Sequence, residues 1–212
     1  ISSPSPQSVK AAVDLLWNAK RPLFISGRGA RKAGPALQQL LSLLGAVYLD
    51  TGESKGLVPE DHPSVVAAMR GQVMSQADVV ITLGRKLDFQ LAYGSPAVFG
   101  DAQFLRLADN AAELRDNRRG AVELLADVNQ SLLAIIEAGK GRQAATNKAW
   151  AAGLREQHLA RADKLQQSID WSLEMGIKQI ICSSFWLPKE CTMDDYRKSC
   201  EELNEIALII NE

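Results

Sequence analysis

Short apolar runs of strand length alternate with longer stretches whose apolar residues recur at helical spacing, through about the first two-thirds of the chain. The strand-like runs are Leu23–Ile25, Ala46–Leu49, Ala77–Leu83, Gln103–Leu107 and Val122–Leu125. Helical stretches are predicted around Val9–Trp17, from Gly34 to a stop at Gly45, and after Asp127 as N-cap. Strands that alternate with helices predict an α/β fold, a doubly wound, mostly parallel Rossmann-like sheet.

The pattern changes after Gly141. Residues 143–175 contain one glycine and no proline, which predicts one long helix or two abutting helices. A strand is then predicted at Ile177–Cys182 and a helix at Met193–Ile206, so we expect a C-terminal strand–helix addition to the sheet. The predicted parts are a Rossmann-like domain at 1–140, a helical connector at 141–175, and a strand–helix fragment at 176–212 docked on the first sheet.

Composition narrows the classes of partner. The 212 residues are 46% hydrophobic and 23% charged, with a formal net charge of -1, so we expect no broad positive field for nucleic acid or for an anionic membrane surface. No apolar run approaches membrane-spanning length. The three cysteines, Cys182, Cys191 and Cys200, are too widely spaced for a compact zinc site. We expect reduced thiols in a cytoplasmic protein.

Two of the strand-like runs end in glycine. Ser26 is followed by Gly27-Arg28-Gly29, and Leu83 by Gly84-Arg85. Glycine lets a backbone approach a phosphate, and the following helix N-terminus favours negative charge, although the third glycine of the dinucleotide fingerprint is replaced by Lys32. Two interpretations stay open, a phosphate-binding turn and a tight strand–helix connection. Arg85 is likewise either a partner for an anionic ligand or a solvated loop residue.

No catalytic group and no metal site is predicted. His62 lies in a polar loop and His158 in a charged helical stretch, where we expect it at the surface. The acidic residues Glu190, Asp194 and Asp195 could suggest acid–base work, but acids near the first turn of a helix are the usual complement to its dipole. The cysteines have no second cluster of ligands beside them.

Four stretches, in order, resemble the central domain of thiamine-diphosphate-dependent enzymes, the group of acetolactate synthase, benzaldehyde lyase and 2-hydroxyacyl-CoA lyase. Within about Val9 to Gly139, the stretches are Ala19–Ala30, Gly56–Pro63, Ala77–Gly84 and Ala126-Asp127. The resemblance implies a six-stranded parallel sheet whose crevice holds FAD in acetolactate synthase and ADP in oxalyl-CoA decarboxylase, and is empty in other members. It places the thiamine cofactor between two flanking domains, which carry the activating glutamate and the Gly-Asp-Gly metal motif.

One departure from the family concerns the segment after the fourth strand-like run. Members often carry Asp-x-Asp-Pro there, whereas this chain has Leu107-Ala108-Asp109-Asn110-Ala111, so that Asp109 keeps only the approximate acidic position. The residues expected to contact a cofactor, if one binds, are Gly27, Arg28, Gly29, Gly84, Arg85 and Asp109. Members are dimers or tetramers, which implies a homo-oligomer, assembled mostly through the flanking domains.

Residues from about 165 to 207 resemble a helix–strand–helix piece of a sugar-phosphate isomerase/epimerase TIM barrel, through Asp170–Ile181 and Met193–Ala207. One such unit cannot close an eight-stranded barrel. The change of resemblance and the absent flanking domains predict a non-catalytic scaffold, a designed chimera with no cofactor. The alternative is a nucleotide-binding module for FAD, ADP or CoA. A working lyase or sugar isomerase would need residues that this chain does not contain.

Overall fold

The computed structural model describes residues 2–175, apart from two side chains within the last helix. The chain divides into two compact units, Ile1–Leu159 and Ala160–Glu212. Several predicted features lie outside the described residues: the strand Ile177–Cys182, the helix Met193–Ile206, the three cysteines, and Glu190, Asp194 and Asp195.

The described part contains five strands and seven α-helices. The strands are β1 (Pro22–Ser26), β2 (Val47–Leu49), β3 (Val79–Leu83), β4 (Gln103–Ala108) and β5 (Val122–Leu125). The helices are α1 (Pro6–Asn18), α2 (Gly34–Leu44), α3 (Arg70–Gln76), α4 (Pro96–Phe99), α5 (Ala111–Leu114), α6 (Val128–Ala138) and α7 (Lys148–Glu174). Four 3₁₀ segments connect them, at Arg28–Ala30, Gly52–Ser54, Ala67–Met69 and Phe89–Gly94.

All five strands are parallel, in the order β2-β1-β3-β4-β5. The chain moves outward from β1 to β2 and then returns to place β3 on the other side of β1. The carboxyl ends of β1 and β3 therefore form the switch point at which open α/β sheets place their crevice. The predicted mostly parallel α/β Rossmann-like fold is confirmed.

The family resemblance implied six strands, and the described residues form five. The sixth position, beyond β2, is occupied by a single bridge between Tyr48 and Val65. There Tyr48 N–H donates to the Ser64 carbonyl at 2.7 Å, and Val66 N–H donates to the Tyr48 carbonyl at 3.2 Å. In this parallel register the Ser64 N–H would have to extend the pairing, but it donates instead to His62 Nδ1 at 3.2 Å, so the segment does not become a strand.

Both faces of the sheet are covered. Phe24 and Ile81 face the layer that contains α1, α2 and α6, whereas Leu23 and Val80 face the layer that contains α3 and α4. Every residue of β1 and β3 is buried. A strand buried on both faces has no polar side to alternate with, which explains why the sequence shows continuous apolar runs.

The helix ends follow local chemistry. Gly45 ends α2 in the left-handed conformation with φ 63°, and the Asp127 side chain accepts the Gln130 N–H at 2.9 Å to begin α6. Helix α4 follows a 3₁₀ segment, with Ser95 as its N-cap and Pro96 as its first residue.

The long helix α7 is continuous from Lys148 to Glu174, which agrees with one of the two alternatives predicted for residues 143–175. It begins after Asn147, whose side chain accepts the Trp150 N–H at 3.2 Å. Within the described range, the helices all lack the combination of length and apolar character needed to cross a membrane.

Candidate functional site

The carboxyl ends of β1 and β3 meet at the switch point of the sheet. The structure brings four of the predicted site residues together there: Gly27, Gly29, Gly84 and Arg85. Gly27 N–H donates to the Leu83 carbonyl at 2.9 Å, and Gly29 N–H donates to the Gly84 carbonyl at 3.1 Å. The loop after β1 is therefore hydrogen-bonded directly to the loop after β3.

The two loops are in backbone contact, and only glycine fits there. A Cβ on Gly84 would lie 2.7 Å from the carbonyl carbon and 2.8 Å from the nitrogen of Gly29, and a Cβ on Gly27 would lie 2.6 Å from the Gly84 carbonyl oxygen. The next N–H group, on Ala30, donates back to Gly27. These contacts explain why glycine is needed at these positions, and they favour the interpretation of a tight strand–helix connection. Phosphate binding at this turn stays a prediction.

Arg85 is neither solvated nor free. Its side chain is 8% exposed, and its two terminal nitrogens donate to the Asp88 carboxylate at 2.8 and 2.9 Å, while one of them also reaches the Gln90 amide oxygen at 2.7 Å. The prediction of a solvated loop residue is therefore wrong. Its Nε is buried and has no partner among the described residues. The bidentate pair already neutralises the guanidinium.

The remaining two predicted residues lie apart from this contact. Arg28 is exposed in the glycine loop, and Asp109 is exposed just after β4, two strands from β1. No hydrogen bond joins Asp109 to either glycine loop in the part of the chain that the structure describes. The charge of Asp109 instead affects Glu113. Burial is the main cause that raises the pKa of the Glu113 carboxyl, and the nearby Asp109 charge raises it further.

Sequence reasoning missed the main polar contact of this edge, which we call the arginine hub, formed by Arg106 of β4 and Asp116. Arg106 is 1% exposed, and its guanidinium pairs with both carboxylate oxygens of Asp116, one of them at 3.0 Å. The same guanidinium donates to the carbonyls of Arg118 at 2.7 Å and Glu113 at 2.6 Å. Asp116 also accepts the Leu87 N–H at 2.8 Å. The hub thus joins β4 to the loops that follow β3 and α5.

A sequence signal for the hub exists. An arginine between Leu105 and Leu107 in an otherwise buried strand requires a carboxylate within reach, because a buried charge is costly unless it is paired. The polar run from Arg115 to Arg119 supplies one acidic residue, Asp116.

A second arginine, Arg118, fixes the neighbouring segment Phe89–Gly94. It donates to the carbonyls of Gly94 at 2.7 Å and Ala102 at 2.8 Å, and its guanidinium carbon lies 4.4 Å from the centre of the Phe104 ring. Within the segment it holds, Ala92 and Tyr93 adopt left-handed φ values of 46° and 55°. The strand-end loops are therefore fixed by internal contacts.

Beside the glycine loops, a buried cluster of hydroxyl groups joins the ends of β1 and β2. Ser26 Oγ is hydrogen-bonded to the Tyr48 hydroxyl and donates to Ser54 Oγ at 2.8 Å. Thr51 Oγ1 donates to the Ser26 carbonyl at 2.9 Å. Burial raises the pKa of Tyr48 to about 12, against the opposing effect of its hydrogen bond with Ser26.

This pKa shift predicts a loss of stability at alkaline pH. The native state keeps the Tyr48 proton more tightly than the unfolded state, so stability is fully present below pH 10.0, the ordinary tyrosine value, and falls as pH rises towards about 12. Urea unfolding between those pH values measures this decline. We expect Tyr48→Phe to flatten it, while Tyr93→Phe, at a side chain 55% exposed, leaves the decline in place. An unchanged slope in Tyr48→Phe contradicts the assignment.

Comparison with known proteins places the domain in context. Residues 9–135 match the family described as "Thiamine pyrophosphate enzyme, central domain". Oxalyl-CoA decarboxylase of Escherichia coli (strain K12) is 30% identical over 168 residues, which cover 78% of this chain and 30% of the enzyme. The 2-hydroxyacyl-CoA lyase 1 of Mus musculus is 34% identical over 132 residues, 61% of this chain and 23% of the enzyme. The human lyase is 32% identical over 140 residues, 65% of this chain and 24% of the enzyme.

These matches correct two predictions. The non-catalytic designed scaffold is wrong, because the similar proteins are enzymes from organisms as different as a bacterium and a mouse. The expectation of no cofactor, with FAD or ADP as alternatives, is also wrong, because the matched family is defined by thiamine pyrophosphate, another name for thiamine diphosphate.

The side chains of the described domain do not fit thiamine pyrophosphate and its metal. Among residues 2–175, no group of three or more His, Cys, Asp or Glu side chains could hold a metal ion. The buried guanidinium groups of Arg85 and Arg106 are already paired with Asp88 and Asp116. The N–H groups of Gly27 and Gly29 are likewise engaged. The described residues therefore provide support for the fold rather than a place for this cofactor.

Proposed function

Because residues 9–135 match its central domain, this chain belongs to the thiamine pyrophosphate enzyme family, and we propose that it forms the central domain of an enzyme that decarboxylates or cleaves an acyl-CoA. The observation that carries the proposal is the agreement among the relatives. Oxalyl-CoA decarboxylase and 2-hydroxyacyl-CoA lyase differ in reaction, but both names specify a CoA thioester as substrate. The chain spans less than a third of the length of these relatives.

The internal contacts of this domain favour a structural role for it in that enzyme. The resemblance implies that the thiamine cofactor lies between two flanking domains. The central domain, which connects those two domains along the chain, must then keep a fixed shape. Backbone contact at Gly29 and Gly84, and the hub at Arg106 and Asp116, connect the loops at the carboxyl edge of the sheet. Groups that are already paired internally resist rearrangement.

A domain graft tests this proposal. Residues 9–135 replace the matched central segment of the E. coli oxalyl-CoA decarboxylase, and decarboxylation of oxalyl-CoA is measured with thiamine pyrophosphate and magnesium supplied. We expect kcat/KM within about tenfold of the parent enzyme, which corresponds to about 1.4 kcal/mol of transition-state stabilisation. The matched control is the same graft with Gly84→Val, which we expect to lose activity because its loops cannot close.

A graft that folds, assembles and binds thiamine pyrophosphate, yet turns over neither oxalyl-CoA nor a 2-hydroxyacyl-CoA, would contradict the proposal. The proposal does not depend on the remaining predictions made from the sequence, and these stay predictions. These are ligand contacts at the six predicted site residues, a homo-oligomer, the absence of nucleic-acid and membrane partners, a cytoplasmic location, and the TIM-barrel resemblance of residues 165–207.

A further inference from the structure

The first turns of α7 are fastened to the segment of residues 60–68. The Arg155 guanidinium donates to the carbonyls of Val65 at 2.8 Å, Asp61 at 3.1 Å and Glu60 at 3.3 Å. One turn earlier in α7, Trp150 Nε1 donates to the Gln76 amide oxygen at 2.9 Å. We call the contact between residues 60–68 and residues 150–158 the clasp.

The clasp contains both histidines of the chain, His62 and His158, and the charge of Arg155 acts on each of them. Nδ1 of His158 accepts the Ala68 N–H at 3.2 Å, and Nδ1 of His62 accepts the Ser64 N–H at 3.2 Å. A protonated Nδ1 has no lone pair with which to accept a hydrogen bond. Both contacts therefore require a neutral imidazole with its proton on Nε2.

The surroundings of both rings also disfavour the charged form. Burial is the main cause that lowers the pKa of His62 and of His158, and the positive charge of Arg155 lowers both further. Acidic neighbours oppose this only in part, through Asp61 at His62 and Glu60 at His158. Geometry and charge thus favour the same protonation state at both histidines.

We propose that the clasp is a pH-sensitive device, closed while both imidazoles are neutral and opened when they take up protons from solvent. Protonation at Nδ1 removes the acceptor of the Ser64 and Ala68 N–H groups and places new positive charge beside Arg155. These positive charges repel the Arg155 guanidinium and weaken its hydrogen bond with the carbonyl of Val65, the residue that bridges to Tyr48 at the sheet edge.

The direction of the pH effect follows from the lowered pKa values. The native state binds these protons less readily than the unfolded state, so the stabilising contribution is present above pH 6.5, the ordinary histidine value. It is lost as pH falls below that value and through the pKa of the folded state.

Amide hydrogen exchange of the whole chain tests the device. We expect the protection factors of the Ser64 and Ala68 amides to fall about tenfold between about pH 7.5 and about pH 5, as the loss of one hydrogen bond worth about 1.4 kcal/mol would cause. The Leu105 amide, in the centre of β4, serves as the internal reference and keeps its protection. Unchanged protection at Ser64 and Ala68, or an equal loss at Leu105, overturns the proposal.

A matched variant separates titration from hydrogen bonding. In the double variant His62→Asn with His158→Asn, each Oδ1 can replace Nδ1 as acceptor but does not titrate. We expect protection at Ser64 and Ala68 to be the same at both pH values. The pH-dependent loss persisting in this variant would overturn the proposal. Nitrogen-15 chemical shifts of the unmodified chain give an independent test, because a proton on Nδ1 of either ring at about pH 7.5 would also overturn it.

Discussion

Replacing Arg106 with leucine is expected to lower the free energy of unfolding by about 3–5 kcal/mol, the usual cost of removing one partner of a buried ion pair. Asp116, 14% exposed, would lose the guanidinium that pairs with it. The carbonyls of Glu113 and Arg118 would also lose their donor. Urea unfolding of the two proteins measures the difference.

The matched control for this prediction is Arg142→Leu. Arg142 pairs with Asp14 at 2.7 Å, but the two side chains are 38% and 50% exposed, so we expect a loss of at most about 1 kcal/mol. The double variant Arg106→Leu with Asp116→Leu should recover part of the stability, because no unpaired charge remains buried. Equal losses for Arg106→Leu and Arg142→Leu would show that the hub does not stabilise the fold.

Substituting Gly84 with alanine is expected to cost about 3–5 kcal/mol, from overpacking and from a left-handed backbone that disfavours any Cβ. The added carbon would meet the Gly29 backbone, which cannot move aside as a flexible side chain would. The loop after β1 would have to separate from the loop after β3. Thermal or urea unfolding measures the cost, and exchange of the Gly29 amide reports the separation.

Gly45→Ala isolates the packing contribution. Gly45 has φ +63° and Gly84 has φ +52°, but nothing lies within 4 Å of a Cβ built on Gly45. Gly45→Ala should therefore cost only the backbone contribution, about 1–2 kcal/mol. If the two alanine variants lose the same stability, close contact between the loops is not the reason for glycine at position 84.

Strands β1, β2 and β3 could be predicted from sequence because they are buried on both faces, which gives continuous apolar runs. The predicted β5 has the observed bounds, Val122–Leu125, and the predicted stop at Gly45 is the observed end of α2. Helix α3 was missed because only Val73 and Met74 of its residues are buried, which is too few for a recognisable apolar stripe. Tertiary contacts, rather than periodicity, maintain such a short helix.

The site was only partly predictable. Sequence alone indicated which glycines follow strands, but their contact with one another depends on β1 and β3 being neighbours. Arg106 was missed because its partner Asp116 lies beyond α5, in a loop whose path no local pattern specifies. The family was found from ordered stretches of sequence. The wrong prediction of a non-catalytic designed scaffold rested on the lack of a recognisable catalytic group in the sequence and on the change of resemblance in its last third.

The single bridge between Tyr48 and Val65 has a consequence for aggregation. An uncovered strand at the border of a sheet can recruit a strand from another molecule. Here β2 is three residues long, and its outer backbone at Tyr48 is already bonded to the segment that Arg155 fastens. This pairing involves a single residue of β2, so the proposed opening of the clasp at low pH would expose this edge of the sheet and favour association between molecules.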